Sequence, residues 1–150
     1  IGDISYAQSN RERYEGFCQA LADAGKKVDS SLCLTTPLGI DTYREEIDTF
    51  LSSLSRMPDA FVCASDYVAC ILMQLLEKRG LRVPEDVAVS GFDNNTEDLL
   101  AEHLTTVQVF NEELGARLAL QILYRIKYPN TPHEITYLGT NVLYRDSTGD

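Results

Sequence analysis

Three residues of this chain have the chemistry and the spacing to share one ligand site: Arg13, Ser65 and Asp93. Each lies beyond the end of a short apolar run that is typical of a buried strand; the runs are Ile1–Ile4, Phe61–Ala64 and Val87–Val89. In open α/β sheets, ligands bind in the crevice at the carboxyl ends of parallel strands. We therefore expect the guanidinium, the hydroxyl and the carboxylate to converge on one small polar ligand.

These functional groups suit a ligand that carries hydroxyls. An ionised carboxylate can accept hydrogen bonds from two neighbouring hydroxyls, and a guanidinium donates several. Simpler roles stay open on the sequence alone, because Arg13 could be a solvated surface residue and Asp93-Asn94-Asn95 could be only a turn. Asp66 has the position of a helix N-cap, so we expect its neighbour Ser65 to be the residue that faces the ligand.

No sequence pattern indicates catalysis or metal binding. The chain contains no G-x-S-x-G nucleophile elbow and no phosphate-binding P-loop. Neither His103 nor His133 lies at a predicted strand end, and no two cysteines have CxxC spacing. We expect no enzyme activity, no cofactor and no metal. Buried free thiols suit a reducing compartment such as the cytoplasm, and the candidates are Cys18, Cys33, Cys63 and Cys70.

Length and charge limit the classes of partner. The chain has 150 residues, which is enough for one domain with a real core, and its formal net charge is −10. Binding to duplex nucleic acid needs clustered Lys and Arg, which this sequence lacks, so we expect no direct contact with DNA. No apolar run approaches the length of a membrane span and no secretory leader is visible, so no membrane partner is expected. The first residues read as the middle of a strand, which suggests a piece of a longer protein.

The predicted elements alternate between strand and helix. Ser9-x-x-Glu12 and Thr42-x-x-Glu45 have the form of capping boxes, and helices are expected from them to about Ala24 and Arg56. A third helix follows Asp66 to Arg79, and Asn111 is expected to cap a fourth over Glu112–Lys127. Further strand candidates are Val28–Leu34, Thr105–Val109, Ile135–Leu138 and Val142–Tyr144. This alternation predicts an α/β fold, a parallel sheet with helices on both faces.

The helix Glu112–Lys127 has apolar residues on most of its sides, among them Leu114, Leu118, Ile122 and Ile126. A helix with this pattern is normally buried on most sides. A chain of this length offers little that could cover it, which again predicts partner structure from elsewhere.

An ordered set of motifs resembles the lactose/galactose repressor (LacI/GalR) family. Arg13-Tyr14-Glu15-Gly16-Phe17 is similar to its R-x-x-G-F segment, and Pro58–Asp66 is similar to its P-x-A-[IV]-x-x-x-[NS]-D strand. The most specific stretch is Gly80–Asp93, followed in the family's order by Leu104-Thr105-Thr106-Val107 and Tyr144–Thr148. Each motif alone is weak, but the set covers nearly the whole chain.

The resemblance implies a type I periplasmic-binding-protein-like fold, in which two α/β subdomains enclose an effector. It implies that residues 1–108 form the C-terminal effector-binding subdomain. Residues 109–133 would be a crossover and a helix that belongs to a largely missing N-terminal subdomain. Residues 134–150 would be the return strand and the tail.

The resemblance also implies a site and a set of partners. Arg13 and Asp93 match family residues that bond effector hydroxyls, Ser65 stands where many members have an effector-contacting Asn, and Ser9 would also face the cleft. The family's dimer helix matches Tyr67–Arg79, which would place Cys70, Met73 and Gln74 near the two-fold axis of a homodimer. Operator DNA would be bound only through a helix-turn-helix domain that this chain lacks.

The implied function is the allosteric sensor of a repressor, in which a sugar or a similar polar metabolite controls DNA binding. A sugar-binding protein of an ABC transporter is the alternative, because it shares the fold.

Overall fold

The computed structural model describes residues 1–39, 41–95 and 102–149. The helices are α1 (Gln8–Asp23), α2 (Tyr43–Ser53), α3 (Asp66–Lys78) and α4 (Asn111–Lys127). The strands are β1 (Ala60–Val62), β2 (Ala88–Ser90), β3 (Thr106–Gln108) and β4 (Asn141–Leu143), and 3-10 turns occur at Ser30–Leu32 and Asp146–Thr148.

A parallel sheet at the centre of the chain brings the predicted strand ends to one edge. β1 and β2 pair in parallel with Phe61 opposite Val89, and a parallel bridge from Ser90 to Thr105 continues the order towards β3. On the other side, the Ile1 amino group donates to the Val62 carbonyl at 2.7 Å. The sequence prediction of a parallel sheet with helices is confirmed. β4 is the exception, since it pairs antiparallel with β3 as the chain returns.

The hydrophobic core lies between this sheet and the helices α2 and α3. Helix α3 contributes most of it, because apolar residues occupy nearly all of its positions between Val68 and Leu76. Ile47 and Leu51 of α2 pack into the same cluster, together with Phe61 of β1 and Val89 of β2. This packing fixes the start of α3 against the strand ends, where the candidate site residues lie.

Helix α4 contributes nothing to this core. None of its described residues is buried, and Leu118 and Ile126 expose 61% and 72% of their surface. Ile135 and Tyr137, which follow α4, expose 79% and 78%. The broad apolar surface that the sequence predicts is therefore present and uncovered by the part of the chain that the structure describes.

Several predicted helix starts are wrong in detail. Helix α1 begins at Gln8 with Ala7 as its N-cap, so Ser9 lies inside the first turn and caps nothing. Thr42 is at the N-cap of α2, but its hydroxyl contacts Glu46 and the Gly39 carbonyl instead of a helix N–H. Helix α4 starts at Asn111 itself, with Phe110 as the N-cap. The capping-box pattern fails at Ser9 because the helix begins earlier, and at Thr42 because other partners engage its hydroxyl.

Three predicted strands are absent among the described residues. Ile1–Ile4 lies beside β1, where the Ile1 carbonyl accepts a hydrogen bond from the Ala64 N–H at 2.8 Å, but it does not form a strand. In Val28–Leu34, the Asp29 carboxylate accepts hydrogen bonds from the backbone N–H and hydroxyl of Ser31, which closes a 3-10 turn. The segment Ile135–Leu138 pairs with no strand. None of the helices in the described ranges is long and apolar enough to cross a membrane.

Candidate functional site

Arg13 and Asp93 meet at the carboxyl edge of the sheet, although they are 80 positions apart in the chain. Helix α1 carries Arg13 in its second turn. The guanidinium donates to the Ala64 carbonyl, just beyond β1, at 2.6 Å and lies 3.4 Å from the Asp93 carboxylate. A close pair of this kind is usually about 2.8 Å apart. The looser contact leaves donors on Arg13 and lone pairs on Asp93 for a further partner.

Phe92 supports the guanidinium from one side. The centre of its ring lies 3.6 Å from the central carbon of the Arg13 guanidinium, a cation–π contact. Arg13 is thus held by a carbonyl, a carboxylate and a ring, while its side chain keeps 26% of its surface exposed. Phe92 was not among the residues predicted to form the site. The only signal was an aromatic residue next to the candidate carboxylate at a strand end.

The backbone turns sharply at Asp93 and Asn94. Their φ angles are 110° and 53°, in a region that side chains other than glycine rarely adopt. The Asp93 N–H donates to the Val107 carbonyl at 2.9 Å, which ties this corner to β3. The segment is therefore a turn, as one reading of the sequence had it, and the turn also presents the Asp93 carboxylate beside Arg13.

Asp66 is a buried support for this corner and not the N-cap of α3. Its carboxylate accepts hydrogen bonds from the Thr106 hydroxyl at 2.6 Å and from the Asn95 N–H at 2.7 Å. Only 3% of Asp66 is exposed. The N-cap of α3 is Ser65, whose hydroxyl accepts from the Val68 N–H. The predicted N-cap role of Asp66 is wrong because its carboxylate is directed at β3 and the corner.

The two serines predicted to contact a ligand lie in different environments. Ser65 is half-buried at the start of α3, and capping uses its acceptor capacity but not its O–H donor. Ser9 is exposed in the first turn of α1, on the helix that carries Arg13. Contact of either serine with a ligand stays a prediction.

The predicted interface residues lie on α3. Cys70 is buried in the core of the chain, whereas Met73 and Gln74 are half-buried. The Gln74 side-chain carbonyl accepts a hydrogen bond from Arg44 of helix α2. Of the three residues, Met73 and Gln74 therefore have surface available for a second protein chain.

A cavity of about 480 Å³ opens between α1 and β1, next to Arg13. Its lining is mainly apolar and includes Phe17, Leu21, Phe61 and Val62, with Arg13 also among the lining residues. A ligand rich in hydroxyls needs polar partners, so this cavity suits it poorly. We therefore centre the candidate site on the strand ends.

The Asp93 carboxyl has a raised pKa. Partial burial is the main cause and the negative charge of Asp66 adds to it, while the Arg13 guanidinium opposes the rise. A raised folded-state pKa means that Asp93 stabilises the fold at pH values below the ordinary aspartate pKa. That contribution is lost as the pH rises through the raised pKa.

We expect Arg13→Ala to raise the pKa of Asp93 further, because the substitution removes the charge that favours the ionised form. Carboxyl ¹³C chemical shifts followed against pH would measure it. A pKa that is unchanged or lowered in Arg13→Ala would show that the two groups are not coupled. Binding of a hydroxylated ligand by the ionised carboxylate should weaken as the pH falls through this pKa.

Among the described residues, no group of three His, Cys, Asp or Glu side chains could hold a metal ion. The four cysteines are free thiols, and burial raises the pKa of Cys63 to about 11. A thiol with so high a pKa is a weak nucleophile. The side chains of Arg13 and Asp93 offer hydrogen bonds and charge to a ligand.

Comparison with known proteins gives one consistent result. A family model described as a periplasmic binding protein-like domain matches residues 1–148. The chain is 35% identical over 117 residues to the HTH-type transcriptional regulator DegA of Bacillus subtilis, which covers 77% of this chain and 34% of that protein. It is 34% identical over 142 residues to the HTH-type transcriptional regulator CelR of Thermobifida fusca, covering 91% and 40% of the two chains.

Among solved structures, the complex of the transcriptional regulator CelR with cellobiose has a similar fold. The TM-score is 0.80 at 31% sequence identity, and the match covers 91% of this chain and 42% of that one. The chain thus spans less than half the length of these relatives.

Proposed function

This chain belongs to the LacI/GalR family of transcriptional regulators, within its periplasmic binding protein-like effector-binding region, and on that premise we propose that it senses a sugar. A similarly small, polar metabolite would satisfy the same site. The sensing region would control DNA binding by a helix-turn-helix domain outside this chain. The observation that carries the proposal is the meeting of Arg13 and Asp93 at the edge of the parallel sheet.

The arrangement of these two side chains suits neighbouring hydroxyls. Asp93 exposes 41% of its side chain and accepts from the ligand, while Arg13 keeps donors that its contact with Ala64 does not use. Phe92 behind the guanidinium restricts its motion, so less rotamer entropy is lost on binding. Ser65 and Ser9 would extend the hydrogen bonding on either side. The similarity to a regulator that binds cellobiose favours a sugar as the ligand.

The exposed face of α4 supports the proposed division of the chain. Residues 1–108 would form one subdomain, residues 109–133 would pack on the other, and residues 134–150 would return to the first. Leu118, Leu123 and Ile126 each expose more than half of their surface. Soluble proteins rarely leave an apolar patch of this kind in contact with water, so we expect the other subdomain to cover it. In this arrangement β3 and β4 lie where the chain passes between the subdomains. An effector would act by favouring one relative orientation of the two subdomains. It could do so only to the extent that it binds the protein more tightly in that orientation.

The test is calorimetry on the natural full-length form with a panel of mono- and disaccharides. At least one sugar should bind with one site per chain, and that sugar should change the affinity of the protein for its operator. If no sugar of the panel bound, but a nucleoside or an amino acid did, the proposal of a sugar effector would be wrong. The protein is expected in the cytoplasm, where its DNA target is.

We further propose that α3 contributes to a homodimer through Met73 and Gln74. Met73→Glu should weaken the dimer by about a hundredfold, because it buries a charge without a partner. Sedimentation velocity on the full-length form would measure the dissociation constant. Ala22→Glu adds the same charge on the exposed face of α1 and should leave the dimer intact. A dimer of unchanged affinity in Met73→Glu would place the interface elsewhere.

A further inference from the structure

Arg145 joins the tail of the chain to the corner that carries Asp93. Its guanidinium donates to the Asn94 side-chain carbonyl at 2.8 Å and to the Leu104 carbonyl at 2.9 Å. Arg145 follows β4 by two residues, whereas Asn94 follows directly after Asp93. Arg145 therefore bonds to the side chain of a residue in the sharp turn, next to the proposed effector carboxylate.

The backbone around Arg145 is itself fixed, so the guanidinium is a rigid support. The Arg145 N–H donates to the Thr105 hydroxyl at 2.8 Å. Two residues later the Ser147 hydroxyl donates to the Val89 carbonyl at 2.6 Å and accepts from the Thr105 N–H at 2.8 Å. Ser147 is only 2% exposed. The tail is thus anchored on β2 and on Thr105, the residue before β3.

The corner needs such a support, because two successive non-glycine residues have positive φ angles there. Conformations of this kind persist only where the surrounding structure holds them, and they are common at functional sites. The Asn94 N–H lies 3.3 Å from the Thr106 hydroxyl, a long contact that holds it weakly. The bond from Arg145 to the Asn94 side chain is the shorter of the two.

We propose that Arg145 is a positioning residue for the effector site: by holding Asn94, it keeps the corner turned so that Asp93 lies beside Arg13. This inference rests on the proposed function for its effect on ligand affinity. Its effect on the position of Asp93 is independent of any ligand. Because Arg145 lies two residues after the return strand β4, it would also transmit movement of that strand to Asp93.

The test uses the natural full-length form and two readouts. The first is the ligand-free titration of the Asp93 carboxyl by ¹³C NMR. In Arg145→Ala the corner should relax and the pKa of Asp93 should fall towards its ordinary value, since partial burial is what raises it. Arg145→Lys keeps the charge but cannot bond two carbonyls with one planar group, so the pKa of Asp93 should fall in this variant as well. It replaces Arg145→Ala in the test if the alanine variant folds poorly.

The control is Thr148→Val, which removes a hydroxyl that bonds to Thr105 at 2.7 Å and, more weakly, to the Arg145 carbonyl at 3.3 Å. It leaves the Arg145 guanidinium and both of its acceptors, the Asn94 side chain and the Leu104 carbonyl, unchanged. It should lower stability without moving the Asp93 titration. If Arg145 were only a structural residue, Thr148→Val and Arg145→Lys would lower stability alike and leave the titration unchanged. That result would overturn the proposal.

The second readout is calorimetry with cellobiose as the probe. Arg145→Ala should weaken binding by about tenfold, in line with the usual cost of such a backbone conformation. Asn94→Gly removes the acceptor, so adding Arg145→Ala to it should cause little further loss. If Arg145→Ala weakened cellobiose binding equally in the unmutated protein and in Asn94→Gly, the result would contradict the proposal. If the unmutated protein does not bind cellobiose, that choice of effector fails, and the titration still decides the role of Arg145.

Discussion

Arg13→Ala should weaken binding of the effector by about a hundredfold, which corresponds to losing one or two hydrogen bonds to a charged group. In the structure the guanidinium is held by Ala64, Asp93 and the ring of Phe92, so it is already placed for a ligand. Asp93→Ala should give a loss of similar size, because the carboxylate is the matching acceptor. Isothermal titration calorimetry on the full-length form, with the sugar found by the panel, would measure both.

The matched control is Arg82→Ala. Arg82 also forms an ion pair with an aspartate, at 2.9 Å with Asp86, but this pair is on the surface. Its loss should leave effector affinity unchanged, which separates the role of Arg13 from a general effect of removing a positive charge. The double variant of Arg13 and Asp93 should lose less than the sum of the two single losses, because the residues contact each other. Affinity that survives both substitutions unchanged would refute the site.

Much of the fold could be predicted because its elements depend on local patterns. The parallel strands β1 and β2 were predicted from short apolar runs, and α3 from apolar residues at helical spacing. The errors arise where a side chain had more than one possible partner. Asp29 closes a turn where a strand was expected, and Thr42 contacts Glu46 instead of a helix N–H. Sequence spacing shows which bonds are possible, and the tertiary structure decides between them.

For the site, the sequence predicted the pairing of residues but not their supports. Arg13 and Asp93 were expected together because parallel strands end at one edge of a sheet, and they do meet there. Asp66 was assigned the wrong partner, since its bond to Thr106 spans 40 positions and leaves no local pattern. Arg145 and Asn94 are 51 positions apart and were not connected at all. Supports of this kind depend on the packed structure and have no spacing rule.

Gly91→Ala should destabilise the protein by about 3 kcal/mol, near the upper end for adding a methyl group to a full site. A Cβ at Gly91 would collide with the Asp66 carboxylate and would lie 2.9 Å from the Leu104 side chain and 3.1 Å from the Asp66 Cα. The carboxylate cannot move aside without releasing Thr106 and Asn95. The strand end must therefore shift, and Phe92 and Asp93 follow it directly in the chain.

Gly16→Ala is the control, since a Cβ at Gly16 meets nothing within 4 Å in helix α1. That substitution should stabilise the protein by up to about 1 kcal/mol, the usual advantage of alanine over glycine in a helix. Urea unfolding followed by circular dichroism would compare the two variants. Gly91 lies against the buried Asp66 and is followed in the chain by Phe92 and Asp93. We therefore expect Gly91→Ala to weaken effector binding as well, and Gly16→Ala to leave it unchanged. Equal stability of the two variants would mean that the Asp66 carboxylate can move aside at little cost. Asp66 would then not be a rigid support for the turn at Asp93 and Asn94.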